Sequence, residues 1–163
     1  QIDHHFRGDV ETVASSAHAI EEASLLADIV IGAVLVVGAK APKLVSNELV
    51  SRMRPGSVLV DISVDQGGCF EATRPTTHSN PVFEHNGCIF YCVANMPAAY
   101  ARTATQALTN VTYRYVEQLA DLGLAEACQR LPALLGGINV QAGHLTCRAV
   151  AEAHGIASAA VVI

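Results

Sequence analysis

The chain has 163 residues, 51% hydrophobic and 15% charged, with no Trp and a net charge of -5. That is the length of one ordinary domain, apolar enough to fold and without the basic run that grips a nucleic-acid backbone or an anionic membrane. No apolar stretch approaches the roughly 20 residues of a bilayer span and no signal-peptide pattern opens the chain, so a cytoplasmic location is the default expectation.

In chain order, Val10 to Ser15 is the first organised segment, and a helix is expected from Ser16 to Leu26, carrying Ile20, Leu25 and Leu26. A strand runs from Ile29 to Val34. Pro42 announces a second helix, with Leu44, Leu49, Val50 and Met53 on one side, that ends at Arg54-Pro55-Gly56. A polar hairpin-like stretch around Arg74 to His78 precedes another apolar strand, Cys88 to Val93, which stops at Asn95-Met96-Pro97. A long helix then continues to Leu122 with Leu108, Val111, Tyr115, Val116 and Leu119 as a broad apolar stripe. Strand and helix alternate through the first part, the pattern of βαβ units around a parallel sheet.

Between the second helix and the polar stretch lies Ser57-Val58-Leu59-Val60-Asp61-Ile62-Ser63-Val64-Asp65-Gln66-Gly67-Gly68-Cys69-Phe70. The continuous apolar run suits a strand covered on both faces, and it stops at an acid and two glycines. Ligands of parallel sheets gather beyond the carboxyl ends of the strands, so Asp65 stands where chemistry is done. The alternative is that Asp65 caps a turn and Gly67-Gly68 only permit positive φ. No GxGxxG follows a strand: Gly32 and Gly38 are too far apart, and Gly136-Gly137 lacks a suitable strand before it.

The five cysteines, Cys69, Cys88, Cys92, Cys128 and Cys147, are odd in number and scattered, as reduced thiols are. Cys88 and Cys92 share one strand face and are expected to be buried as small apolar side chains. Neither they nor the scattered histidines have zinc-ligand spacing, so no metal site is expected. The chain opens with Gln1 instead of Met and is expected to be a piece of a longer protein.

The segments Asp28-Ile29-Val30-Ile31-Gly32-Ala33-Val34-Leu35, Ala41-Pro42-Lys43-Leu44-Val45, Asp65-Gln66-Gly67-Gly68-Cys69-Phe70-Glu71, Arg74-Pro75-Thr76-Thr77-His78 and Tyr91-Cys92-Val93-Ala94-Asn95-Met96-Pro97 together resemble bacterial alanine dehydrogenases, in family order from about Val13 to Ile156. The transhydrogenase α subunit carries weaker forms of the same motifs. The resemblance implies the second half of a Rossmann-like doubly wound parallel sheet followed by helices returning to the catalytic domain. Residues 1–100 would be the carboxy-terminal half of the NAD-binding domain and 101–163 the carboxy-terminal part of the catalytic domain.

The implied activity is reversible deamination of L-alanine to pyruvate and ammonia, with NAD as hydride acceptor and a homo-oligomer, a hexamer in the family, as the assembly. By the same resemblance Asp65 is the catalytic aspartate. Ser15 lies near the adenosine side of the cofactor, Val34 and Leu35 over the nucleotide, and Ile62, Ser63, Val64 and Asp65 beside nicotinamide and ribose. Asn95 and Met96 close the nicotinamide pocket, Val93 and Ala94 contribute backbone, and Arg74 approaches the cofactor. The family's glycine-rich motif, substrate-polarising lysine, carboxylate-binding arginine and acid/base histidine belong upstream of Gln1. Where the family has MPGAVPRTST, this chain reads Met96-Pro97-Ala98-Ala99-Tyr100-Ala101-Arg102-Thr103-Ala104-Thr105, replacing a glycine and a proline. The terminal region, through Gly136 to His144 and Thr146 to His154, is expected to complete the other domain. Without the amino-terminal half, the exposed stripe of the long helix should make the chain fold poorly or associate. Two other readings stand beside this one: a non-catalytic remnant of a disrupted gene, and a transhydrogenase α-subunit-like NAD-binding piece with membrane partners.

Overall fold

The computed structural model describes residues 2–6 and 8–163. Contacts divide them into two compact units, one holding the chain up to Leu35 together with Ala41–Ala94, the other Val36–Lys40 with Asn95–Ile163.

The first unit contains α1 (Ile2–Phe6), α2 (Ala17–Leu26), β1 (Ile29–Gly32), α3 (Asn47–Arg52), β2 (Val58–Asp61), β3 (Val82–His85) and β4 (Cys88–Tyr91). Its sheet has the order β1-β2-β4-β3. β1, β2 and β4 run parallel, with Val30 beside Leu59 and Leu59 beside Phe90; β3 closes the edge antiparallel to β4. This is the parallel-dominated α/β sheet expected from the sequence.

Side chains that share a register row share a face. Leu59, Cys88 and Phe90 are buried and pack with Val45, Leu49, Val50, Met53, Val64 and Phe70, while Ile20 and Leu25 of α2 pack against the edge of that cluster. Ile29, Ile31 and Ile89 on the opposite face are exposed. The expectation of a strand covered on both faces therefore holds on one: within this unit the packing layer is supplied by α2, α3 and the segments flanking α3, all on the same side. Phe90 is the centre of the core, edge-on to Phe70 with centroids 6.2 Å apart and stacked on Phe83 at 5.1 Å. Phe90→Ala should lower stability by about 3–5 kcal/mol, seen as a lower urea midpoint, because a fully buried ring leaves a cavity its neighbours cannot refill.

Several boundaries differ from the expectation, each for a local reason. Residues 11–16 have no regular structure. Ser16, one residue after Ser15, caps α2 by accepting from Ala19 N at 3.1 Å. The second helix begins at Asn47, not at Pro42. Ala41–Val45 is instead held extended: Ala41 N donates to Gln66 O and Leu44 N to Cys69 O, and Val45 bridges Phe70, so tertiary bonding outcompetes the helix start. Ser46 then caps α3 by accepting from Leu49 N. β1 ends at Gly32 and β2 at Asp61 because the two strands stop in register and Asp61 turns the chain. β3 is a strand beyond those expected; its sequence signal is Asn86-Gly87, both with positive φ (50° and 77°), the two-residue turn that joins β3 to β4.

The second unit opens with a 3₁₀ turn, Met96–Tyr100, and continues into α4 (Ala101–Arg130). α4 is interrupted at Gly123, with φ 72° and ψ 175°, so its first helical run ends at Leu122 as the sequence suggests. Leu108, Val111 and Val116 on this run are exposed. A 3₁₀ turn, Pro132–Gly137, a short hairpin of β5 (Val140–Gln141) and β6 (His144–Leu145), and α5 (Arg148–His154) complete the unit. The hairpin, also unanticipated, turns on Ala142 and Gly143, both at positive φ.

Candidate functional site

The carboxyl ends of β1 and β2 are joined into one crest. Beyond Gly32 the chain rises through Ala33, Val34 and Leu35; beyond Asp61 it rises through Ile62 and Ser63 into a 3₁₀ turn, Val64–Gln66. Ile62 N donates to Gly32 O at 2.8 Å and Ser63 Oγ donates to Val34 O at 2.7 Å, tying the two rises together. Val64 plugs the crest into the core, 4% exposed, while Leu35 (69%) and Ile62 (54%) face outward. Asp65 is exposed on the 3₁₀ turn.

The return from the crest is pinned from two sides. From below, the buried Asp61 carboxylate accepts from Ser63 N at 3.0 Å with Oδ1 and from Cys69 N at 2.9 Å, Phe70 N and Thr73 Oγ1 with Oδ2. The Cys69 thiol also points at Oδ1, 3.6 Å away. Burial, and then the adjacent Asp61 carboxylate, push that thiol up to about 11, so it stays protonated and can donate. Burial first, and Asp61 second, likewise raise Cys92. From outside, Lys43 Nζ donates to Gly67 O at 2.6 Å and Phe70 O at 2.9 Å, and Glu71 Oε2 accepts from Asn47 N at the start of α3.

Two glycines complete the turn for different reasons. Gly67, at φ 89°, closes the 3₁₀ turn with its N–H on Val64 O. Gly68, at φ 73°, has no room for a side chain: a Cβ there would lie 2.3 Å from Thr73 Cγ2 and 2.5 Å from Asp61 Oδ2.

Of the site residues read from the sequence, the structure brings Val34, Leu35, Ile62, Ser63, Val64 and Asp65 together on this crest. The carboxylate that β2 itself delivers is Asp61, which is fully buried; Asp65 stands four residues beyond the strand end, where the Asp61-capped turn lifts it into solvent. The side chains of Ser63 and Val64 are committed inward, and their backbone closes the turn: Ser63 N donates to Asp61, Ser63 O accepts from Gln66 N and Gly68 N, and Val64 O accepts from Gly67 N. Ser15 is exposed ahead of α2. Arg74 is exposed and seated over Phe83 of β3, its guanidinium carbon 4.2 Å from the ring centroid. Val93 is buried and Ala94 half-buried, with Ala94 N bonded to Thr76 O. Asn95, at φ 54°, and Met96 open the second unit.

Sequence reasoning passed over Asp61, Thr73 and Lys43. Asp61 had a signal, an acid closing Val58-Leu59-Val60; Thr73 and Lys43 had none, since their roles depend on segments brought together by the fold. Among the described residues no cluster of three or more His, Cys, Asp or Glu side chains could hold a metal ion, and no helix is long and apolar enough to cross a membrane.

The crest shows two aliphatic side chains and one carboxylate beyond parallel strand ends, the place where ligands of such sheets bind. Comparison with known proteins bears on which ligand. The family described as alanine dehydrogenase/PNT, C-terminal domain, matches residues 1–148. Over 155 residues the chain is 53% identical to alanine dehydrogenase of Halomonas elongata, covering 95% of this chain and 42% of that protein. It is 54% identical over 156 residues to alanine dehydrogenase of Mycobacterium tuberculosis, with 96% and 42% covered. A solved L-alanine dehydrogenase superposes with TM-score 0.80 at 47% identity over 94% of this chain and 42% of its own. A transhydrogenase from Sinorhizobium meliloti superposes with TM-score 0.58 at 30% identity over 66% of this chain. The chain thus spans about 42% of the length of the alanine dehydrogenases it matches.

Proposed function

Because the chain belongs to the alanine dehydrogenase/PNT carboxy-terminal domain family, we propose that it is the cofactor-binding, carboxy-terminal part of an NAD-dependent alanine dehydrogenase, which deaminates L-alanine reversibly to pyruvate and ammonia. The observation that carries the reading is the crest: the family motif Asp65-Gln66-Gly67-Gly68 is held rigidly beyond β2, with Asp65 exposed at its top and Ile62 and Leu35 beside it. Bound NAD supplies the hydride acceptor for the amino-bearing carbon.

In this reading Leu35 and Ile62 offer an apolar surface to the nicotinamide, and the backbone of Val34, Ser63 and Val64 lines its ribose side. Asp65 anchors the substrate ammonium and keeps the proton-transfer group in register; a carboxylate suits this because its hydrogen bonds to a cation are short and strong. Ser15, Arg74, Val93, Ala94, Asn95 and Met96 are assigned to the cofactor by the resemblance. The groups that bind the substrate carboxylate, polarise its carbonyl and exchange its proton are supplied by sequence outside this chain. The assembly is a homo-oligomer. The greater similarity to alanine dehydrogenases favours this reading over a transhydrogenase piece.

The test is alanine-dependent NADH production by the chain alone and by the chain joined to its upstream coding sequence. Activity in the joined form only is the expected result. Activity in neither would overturn the dehydrogenase in favour of a non-catalytic remnant, and activity in the chain alone would overturn the need for outside groups.

A further inference from the structure

Asp61 and Asp65 divide a task that one carboxylate could not perform. Asp61 is fully buried, so it touches neither solvent nor any ligand on the crest. Its two oxygens hold the loop at both ends: Oδ1 takes the Ser63 amide where the chain leaves β2, and Oδ2 takes the Cys69 and Phe70 amides where it returns. Asp65 sits between those anchors. Thr73, arriving from beyond the loop, adds a hydroxyl donor to Oδ2 and packs its methyl where a side chain on Gly68 would fall. A loop closed by backbone amides on a single carboxylate has little freedom once that carboxylate is itself fixed, and the Thr73 hydroxyl on Oδ2, with the Cys69 thiol on Oδ1, fixes it.

We propose that Asp61 and Thr73 are positioning residues for Asp65, setting the height and direction of its carboxylate at the reaction centre. This rests on the reading of Asp65 as the catalytic aspartate. An acid is needed at position 61 because the site offers donors only. An Asn amide, in either orientation, would set an N–H against the Ser63 amide or against the donors on Oδ2.

The experiment is a double-mutant cycle in the joined enzyme, with kcat, KM for alanine and the unfolding midpoint measured for each protein. Thr73→Val should lower kcat about tenfold and Asp61→Asn about 100-fold, the scale of a catalytic group displaced by an ångström. Thr73→Ser, which keeps the hydroxyl, should restore kcat to within about twofold of the unsubstituted enzyme. The deciding readout is Thr73→Val in the Asp65→Asn background, where no further loss of kcat is expected because the group being positioned is already gone. An equal loss in both backgrounds would show a structural role only and overturn the proposal, as would an unchanged kcat in Thr73→Val. If Asp61→Asn fails to fold, the Thr73 pair decides alone. A wild-type kcat in Asp65→Asn by itself overturns the underlying reading instead, a result distinct from both.

Discussion

Asp65→Asn in the joined enzyme should lower kcat by roughly 10²–10⁴-fold, the contribution of a side chain that handles a proton or orients the group that does. The unfolding midpoint should not move. Asp65 is exposed on the 3₁₀ turn, and the bonds that shape the turn are made by Asp61, Thr73, Lys43 and backbone amides. An amide of the same size therefore removes the charge and the proton-accepting oxygen while leaving the loop closed. Steady-state kinetics with alanine, paired with urea unfolding, separates the two effects, and an unchanged kcat would remove Asp65 from the chemistry.

Gly68→Ala should be far more damaging than the same change at its neighbour, costing about 2–4 kcal/mol against about 1 kcal/mol for Gly67→Ala. Both glycines have positive φ, 73° and 89°, so both variants carry the left-handed backbone cost. Only Gly68 adds a collision, with Thr73 Cγ2 at 2.3 Å and Asp61 Oδ2 at 2.5 Å, whereas a Cβ on Gly67 meets nothing within 4 Å. The Gly68 variant should also lose activity, because the atoms it displaces are those that anchor the loop. Urea midpoints for the two variants check the difference; equal losses would mean that backbone conformation alone, and not the packing around Asp61, sets the cost.

The sequence made legible those features that are local. The apolar runs over Ile29–Gly32, Val58–Asp61 and Cys88–Tyr91 are strands, and Gly123 ends the helical run that begins at Ala101. Where segments distant in sequence pair, local patterns misled. Pro42 read as a helix start because nothing nearby reveals that Ala41–Val45 will bond to Gln66–Phe70. The turn at Asp65 to Gly68 is legible from its acids and glycines, but the apolar run does not show that β2 ends at Asp61 and that Asp65 lies beyond it. Periodicity cannot distinguish an acid that ends a strand by capping it from one that follows on the next turn, and only the Asp61 bonds to Ser63, Cys69 and Phe70 decide between them.

The clamp by Lys43 and Asp61 has a bearing on how damage to such a surface shows itself. Nothing that holds the loop shut comes from the outward-facing side chains of Ile62 and Asp65; closure is delegated to residues beneath and beside them. Substitutions at the top are thereby insulated from the cost of folding, and their effect falls on ligand and chemistry while the scaffold stays intact. Mutations at Lys43, Asp61, Gly68 or Thr73 act on folding as well, so loss of function at the base of the loop should come with a lower unfolding midpoint and loss at its summit without one.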